Sequence, residues 1–119
     1  MAALDMSTDL NTDAVGCIAL PADEMAARAA EAAAFLKALS HEGRLMILCH
    51  LSSGEKSVTE LEERLHARQA AVSQQLARLR AEGLVNTRRD GKAIYYSIKD
   101  PKAGAIMELV YDMFCNPAR

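Results

Sequence analysis

Two short amphipathic segments, separated by a turn of about three residues, constrain the fold of this chain more than any other feature. In the first segment, Leu61 and Leu65 stand one helical turn apart. In the second, apolar residues recur at the i, i+4, i+7 spacing that places side chains on one face of a helix. These residues are Val72, Leu76 and Leu79. The pattern predicts two surface helices, each with one buried side, in a helix-turn-helix.

The ends of these helices are marked in the sequence. Ser57 precedes Glu60 by three residues, an arrangement in which both side chains satisfy free backbone N–H groups at a helix start. Gln69 opens the second helix, and Glu82-Gly83 ends it, because glycine tolerates the left-handed conformation that follows many helices.

A β-hairpin is predicted after the second helix. Val85–Arg89 and Ala93–Ile98 have strand composition and flank Asp90-Gly91, a strong hairpin signal. Such a short pair of strands is marginal alone, so we expect it to pack against the helices. Three cations lie at its tip, where they project as a wing toward phosphate or the minor groove. They are Arg88, Arg89 and Lys92.

Helices are also predicted on both sides of this motif. One runs from Pro21 to about Leu36 and is rich in alanine, a second spans Glu42–Leu51, and a third starts at Pro101. The last has an apolar stripe of Ile106, Leu109, Val110 and Met113 with few local partners. Together with the alanine-rich helix, this stripe is a candidate dimer interface.

The predicted fold is therefore mainly α with a small β-hairpin, a dimeric winged helix-turn-helix with the order α-α-α-α-β-β-α. Residues 1–20 are expected to be a flexible arm, and residues 21–119 a single DNA-binding and sensor domain. A two-fold dimer would present two recognition helices to palindromic DNA.

The charge distribution favours a nucleic-acid partner at one surface only. The chain has 14 Lys and Arg against 16 Asp and Glu, a net charge of −2. The segment from Arg64 to Lys92, however, contains seven cations and two anions, whereas residues 1–31 contain one cation and six anions. We expect DNA contact through the second helix of the motif, the start of the first, and the wing. The candidate residues are Ser57, Thr59, Gln69, Ala71, Ser73, Gln74, Arg78, Arg88, Arg89 and Lys92. The alternative is an ordinary solvated helix face.

Targeting and catalytic signals are not found in the sequence. It contains no membrane-span pattern and no secretory signal, so a cytoplasmic location is expected. No Cys, His and carboxylate arrangement indicates thiol catalysis, so we do not expect an enzyme. Haem could bind through Cys and His side chains, but their spacing does not support it, so we expect no cofactor.

Three segments resemble the ArsR family of bacterial repressors, also called the ArsR/SmtB family. Ala38–Leu45 resembles the opening of the family's second helix, Gln69–Leu76 its recognition helix, and Arg88–Lys92 with Tyr95-Tyr96 its wing. The resemblance covers about residues 25–115, and departs at Gln75, where many members have His. It implies a dimer that represses an operator until an inducer binds.

Metal sensing, for which this family is best known, is not favoured by the residues. The family's thiolate site needs a Cys-x-Cys pair where Thr59–Glu62 stands, and its other common site needs His on the last helix, where Glu108 and Asp112 stand. A set of His41, Cys49, His50 and Cys115 lacks metal-motif spacing. We therefore expect no metal, with a metal-responsive repressor as an alternative.

The positions of the cysteines resemble those of the persulfide-sensing branch of the family. The resemblance implies that Cys49 and Cys115 take sulfur from small persulfides and form an intramolecular polysulfide bridge. The bridge would lower operator affinity and derepress sulfide-metabolism genes. Cys49 is the expected first nucleophile, with Arg44 or His50 favouring its thiolate, while Cys17 has no evident partner.

Two alternatives use the same cysteines differently. A general peroxide or disulfide sensor would respond to oxidant without sulfane sulfur. A constitutive DNA-binding module would bury its cysteines as small core residues.

Overall fold

The computed structural model of the chain describes residues 20–116. Five helices and three strands lie in this range, in an order that confirms the winged helix-turn-helix prediction and adds one short strand. They are α1 (Ala22–Leu39), α2 (Glu42–Leu51), β1 (Lys56–Ser57), α3 (Val58–Leu65), α4 (Gln69–Ala81), β2 (Val85–Asp90), β3 (Ala93–Ile98) and α5 (Pro101–Phe114). The predicted arm, apart from Leu20, lies outside the described residues, as does Cys17.

The chain divides into two units, Met1–Leu36 and Lys37–Arg119. The described part of the first unit is the alanine-rich portion of α1. Its first turn contains Asp23 and Glu24, where the helix dipole favours negative charge. Side chains from Pro21 to Leu36 are exposed, except for the half-buried Phe35.

The core of the second unit is aliphatic. Leu48 of α2, Leu61 of α3, and Leu76 and Leu79 of α4 are completely buried, so the predicted inner faces of both motif helices are confirmed. Burial of each such leucine contributes about 1.5–3 kcal/mol. Helix α2 packs against α3, α4 and α5 and is thus the central helix of this unit.

The two motif helices are joined as the sequence indicates. At the start of α3, the Ser57 hydroxyl accepts a hydrogen bond from the Glu60 N–H (3.1 Å), and the Glu60 carboxylate accepts one from the Ser57 N–H (2.8 Å). At its end, His66 adopts a left-handed conformation (φ 52°) that turns the chain toward α4. The two hydrogen bonds between Ser57 and Glu60 confirm the predicted capping box, and His66 provides the turn between the helices.

The wing is part of a three-stranded antiparallel sheet with the order β1-β3-β2. The hairpin pairs Val85 with Ile98 and Asp90 with Ala93, so its turn falls on Gly91-Lys92, one residue later than the sequence indicates. Gly91 has a φ of +65°, which suits the first of the two central positions in a type II′ turn. The added strand β1 pairs Lys56 with Tyr96 and Ser57 with Tyr95, and so joins the wing to the start of α3.

The capping box predicts a pH-dependent contribution to stability. The backbone hydrogen bond from Ser57 lowers the pKa of Glu60. Its charge therefore contributes stability that is present above the unfolded-state pKa and is lost as the pH falls through the folded-state value. We expect the difference in the free energy of unfolding between the wild type and Glu60→Gln to stay constant near neutral pH and to shrink below about pH 4.

Urea denaturation at a series of pH values measures this difference. Glutamine keeps an acceptor for the Ser57 N–H, so the substitution tests the charge. Glu63→Gln, on the same helix but outside the cap, is the matched control. A difference that stays the same from pH 7 down to pH 3 contradicts the prediction.

Candidate functional site

Helix α4 presents an uncovered polar face. Its predicted reading residues are all exposed, whereas Val72, Leu76 and Leu79 on the opposite face are buried. The exposed set is Gln69, Ala71, Ser73, Gln74 and Arg78. Because the buried face fixes how the helix lies on the core, the polar face is held outward, as a recognition helix requires.

The two residues at the start of α3 that are predicted to contact DNA differ in exposure. Thr59 is exposed, but Ser57 is half-buried and its hydroxyl already accepts the bond from Glu60. A hydroxyl has one donor as well as its acceptor lone pairs. Ser57 therefore still has its O–H to donate to a phosphate oxygen.

The three wing cations are not equivalent. Arg88 donates from Nε to both carboxylate oxygens of Glu55 (3.1 and 3.3 Å), and its Nη2 also contacts Glu55. Its guanidinium stands 4.7 Å from the centre of the Tyr95 ring. Arg89 and Lys92 are exposed, and within residues 20–116 neither has an ion-pair partner.

The Arg88 and Glu55 pair stays charged at neutral pH. Hydrogen bonding from Arg88 lowers the pKa of Glu55, and the same bond raises the pKa of Arg88. A phosphate that binds Arg88 must compete with this carboxylate. Arg78 on α4 is similarly paired, with its Nε 3.1 Å from Oε2 of Glu82.

An open cleft of about 330 Å³ lies beside Cys49. It is formed where α2 faces α5, and Tyr111 of α5 is part of its lining. The backbone N–H of Cys115 donates to the Tyr111 carbonyl (2.8 Å), so Cys115 follows the cleft wall by one turn. Both thiols are exposed in the described chain, and neither belongs to its core.

The two residues expected to favour a Cys49 thiolate do not act as expected. The Arg44 side chain is buried and donates to the Ala38 carbonyl and the Gln75 amide. Burial lowers the pKa of His50, and the positive charges of Arg64 and Lys56 lower it further. A neutral His50 carries no positive charge.

Within residues 20–116, no three His, Cys, Asp or Glu side chains are grouped to hold a metal ion. The structure therefore does not gather the alternative set of His41, Cys49, His50 and Cys115. Among the helices of this part of the chain, none is both long and apolar enough to cross a membrane.

An outward polar helix backed by a cationic hairpin defines a winged-helix DNA-binding protein. Residues 41–87 match the family described as bacterial regulatory protein, arsR family. The chain is 48% identical over 103 residues to the biofilm growth-associated repressor of Agrobacterium fabrum, covering 87% of this chain and 86% of that protein.

Two solved structures extend the comparison. Reduced HlyU from Vibrio cholerae matches with a TM-score of 0.76 and 43% identity, over 78% of this chain and 98% of that one. The transcriptional repressor BigR from Xylella fastidiosa matches with a TM-score of 0.74 and 43% identity, over 82% and 99%. The chain belongs to the ArsR family. It is a DNA-binding transcriptional regulator and not an enzyme.

The Glu55 carboxylate is predicted to restrain DNA binding. In Glu55→Gln, Arg88 loses its hydrogen-bonded carboxylate partner and keeps the longer contact to Asp90 (3.9 Å), so its guanidinium becomes more available to phosphate. We expect higher DNA affinity and a plot of log affinity against log salt concentration that is steeper by about 0.9, the value for one added phosphate contact. Fluorescence anisotropy with a labelled duplex at four or more salt concentrations measures both.

Glu63→Gln removes a charge of the same sign from an exposed site and serves as control. Weaker binding by Glu55→Gln would contradict the prediction and show instead that Glu55 holds Arg88 in the orientation that contacts DNA.

Proposed function

We propose that this chain is a transcriptional repressor that senses persulfides through the Cys49 and Cys115 thiols. The observation that carries the proposal is the open cleft at Cys49, whose α5 wall includes Tyr111, one turn before Cys115. One exposed thiol thus lies on α2 and the other directly follows α5, and these two helices pack together. In the cytoplasm, where we place the protein, ordinary thiols are kept reduced, so a cysteine pair is sensory more often than structural.

The chemistry begins with sulfur transfer. The Cys49 thiolate attacks the outer sulfur of a small persulfide RSSH, the S–S bond breaks, RSH leaves, and Cys49 becomes a persulfide. A second RSSH converts Cys115 in the same way. The Cys49 persulfide anion then attacks the inner sulfur of the Cys115 persulfide and expels HS⁻.

The atoms and electrons of this reaction balance without a further oxidant. Two RSSH and two protein thiols give two RSH, one H₂S and a trisulfide bridge. One sulfane sulfur remains in the bridge, and the other is reduced to H₂S as the two thiols are oxidised. A longer sulfur chain spans a gap that would strain a disulfide, which favours sulfur donors over peroxide.

The bridge acts on DNA binding by tying α2 to α5. Helix α2 also packs against α4, so a constraint between α2 and α5 changes the surroundings of the recognition helix. The regulatory effect is the difference in operator affinity between the thiol and bridged forms. We infer that bridging lowers this affinity and derepresses genes of sulfide metabolism.

We further propose a homodimer that binds a palindromic operator. In the predicted stripe of α5, the described chain covers no residue completely: Leu109 and Met113 are exposed, and Ile106 and Val110 are half-buried. Phe114 at the helix end is 78% exposed. We propose that a second copy of the chain covers this apolar stripe. One copy has one recognition helix, and a palindromic operator needs two.

The names of the relatives bear on the direction of regulation. The Agrobacterium fabrum and Xylella fastidiosa proteins are named repressors, whereas HlyU is named a transcriptional activator. The solved HlyU structure is of the reduced protein, which favours the general redox sensor as the second candidate. In either case, we propose residues 21–119 as the combined DNA-binding and sensor domain, preceded by an arm.

The dimer is tested at the α5 stripe. Leu109→Glu and Met113→Glu place an unpaired carboxylate in the proposed interface, and we expect each to raise the dimer dissociation constant by about 30-fold or more, since a central interface residue contributes about 2 kcal/mol. Sedimentation equilibrium measures the change. Lys99→Glu, at an exposed position outside α5, is the control. Unchanged dissociation constants in both variants would show that α5 is not part of the dimer interface.

Sensing is tested with the reduced full-length protein and three reagents. Glutathione persulfide should add sulfur and remove two hydrogens in the intact mass, and should weaken operator binding at one fixed salt concentration. Cys49→Ser and Cys115→Ser should abolish both effects, whereas Cys17→Ser should retain them. Hydrogen peroxide and oxidised glutathione should have no comparable effect.

The outcomes separate the candidates. Equal responses to persulfide and peroxide would overturn persulfide sensing in favour of a general redox sensor. An unchanged mass and affinity with all three reagents would reject thiol sensing and favour a metal-responsive or constitutive regulator.

A further inference from the structure

A buried arginine connects α2 to the recognition helix. Arg44 of α2 is only 9% exposed. Its Nε donates to the Ala38 carbonyl at 2.6 Å, and its Nη1 donates to Oε1 of Gln75 at 2.9 Å. Gln75 belongs to α4, so one guanidinium holds the end of α1, the start of α2 and the middle of α4.

These hydrogen bonds replace an ion pair. Within residues 20–116, no carboxylate lies at salt-bridge distance from Arg44. A buried cation must be satisfied by hydrogen bonds, and bonds from charged donors are about twice as strong as those between neutral groups. The Gln75 amide oxygen therefore has a defined position, and so does the helix that carries it.

Gln75 stands between the two faces of α4. Its neighbour Gln74 is exposed on the reading face, and its other neighbour Leu76 is completely buried. Gln75 itself is half-buried. A fixed point on this flank sets the rotation of α4 about its own axis.

Small rotations of this helix matter for base recognition. Side chains reach about 5–6 Å from the helix axis, so a rotation of about 10° moves their tips by roughly 1 Å. Hydrogen bonds to base edges lie within a few tenths of an ångström of 2.9 Å and weaken steeply outside good geometry. A slightly rotated recognition helix would still contact phosphates but would lose discrimination among bases.

The start of α2 lies close to α4 beside this bond. A Cβ added at Gly43, next to Arg44, would lie 3.1 Å from a carbon of the His41 ring and 3.6 Å from Cγ of Gln75. Gly43 and Gln75 also line an open cleft of about 180 Å³, so the hydrogen bond, and not dense packing, fixes the Gln75 side chain on this flank.

We propose that Gln75 and Arg44 are positioning residues for operator recognition: their hydrogen bond fixes the orientation of α4 and determines base specificity without contact to DNA. This role is independent of any inducer. A second role rests on the proposed function. Cys49 is on the same helix as Arg44, and this helix packs against both α4 and α5, so the bond would also transmit the thiol state to α4.

The first experiment uses the reduced full-length protein. Gln75→Met keeps the side-chain volume and removes the acceptor, whereas Gln75→Glu keeps an acceptor for Arg44. Affinities for the operator and for a non-specific duplex of equal length are measured over a range of salt concentrations. The ratio of the two affinities cancels the effect of the charge that glutamate adds.

We expect Gln75→Met to lower this ratio by about tenfold, with the non-specific affinity and its salt dependence unchanged, because neither partner contacts phosphate. Gln75→Glu should restore most of the ratio. Combining Gln75→Met with Arg44→Met should lower the ratio no further than the more severe single variant. If Arg44→Met does not fold, the two Gln75 variants carry the test.

A set of operators with single base-pair changes distinguishes positioning from base contact. Gln75→Met should weaken discrimination at several positions, whereas Gln74→Met, on the reading face, should weaken it at one. An unchanged ratio overturns the proposal. So does a loss confined to one base pair, which would make Gln75 a base-reading residue, or an equal loss of operator and non-specific binding, which would indicate general destabilisation.

The second role is tested with bridged and reduced protein. The fold difference in operator affinity between these forms should be smaller in Gln75→Met than in the wild type. If bridging does not change the affinity of the wild type, the proposed sensing function fails, while the result for the reduced protein stands independently. An equal fold difference in both proteins overturns the transmission role alone.

Discussion

The burial of leucines from α2, α3 and α4 is the interaction on which the rest of this structure depends. Leu48, Leu61 and Leu76 are all removed from water, and the three helices that carry them pack against one another. The same contact decides which side of α4 faces outward, because a helix that buries one stripe must expose the other. The DNA-reading surface and the core are therefore two faces of one packing arrangement.

Most of the fold follows from short-range signals in the sequence. Apolar spacing identified the buried faces of α3 and α4, and the Ser57 and Glu60 pair marked the start of α3. No sequence pattern predicts β1, because two residues contain no periodicity and their pairing with Tyr95 and Tyr96 depends on a distant segment. The Asp90-Gly91 signal indicates a turn one residue too early, because register is set by pairing across the whole ladder.

The candidate site was less predictable, because its decisive contacts join residues far apart in the chain. Exposure of the α4 reading face follows from the buried stripe. The pairing of Arg88 with Glu55 spans 33 residues, and that of Arg44 with Gln75 spans 31. No local pattern distinguishes such an arginine from a free one. The sequence thus locates cationic groups, but tertiary structure decides which of them already have hydrogen-bond partners.

Ser57 belongs to two elements of this fold, because it is the last residue of β1 and the N-cap of α3. The sheet that carries the wing and the helix pair that carries α4 are consequently joined at one residue, with no linker between them. The spacing between the two predicted DNA-contacting elements is therefore set by the fold of the protein alone. A duplex must supply a groove width and helical twist that match a fixed spacing, and base-pair sequences differ in the energy that such deformation costs. A rigid spacing of this kind makes the stiffness of base pairs outside the contacts a source of sequence preference.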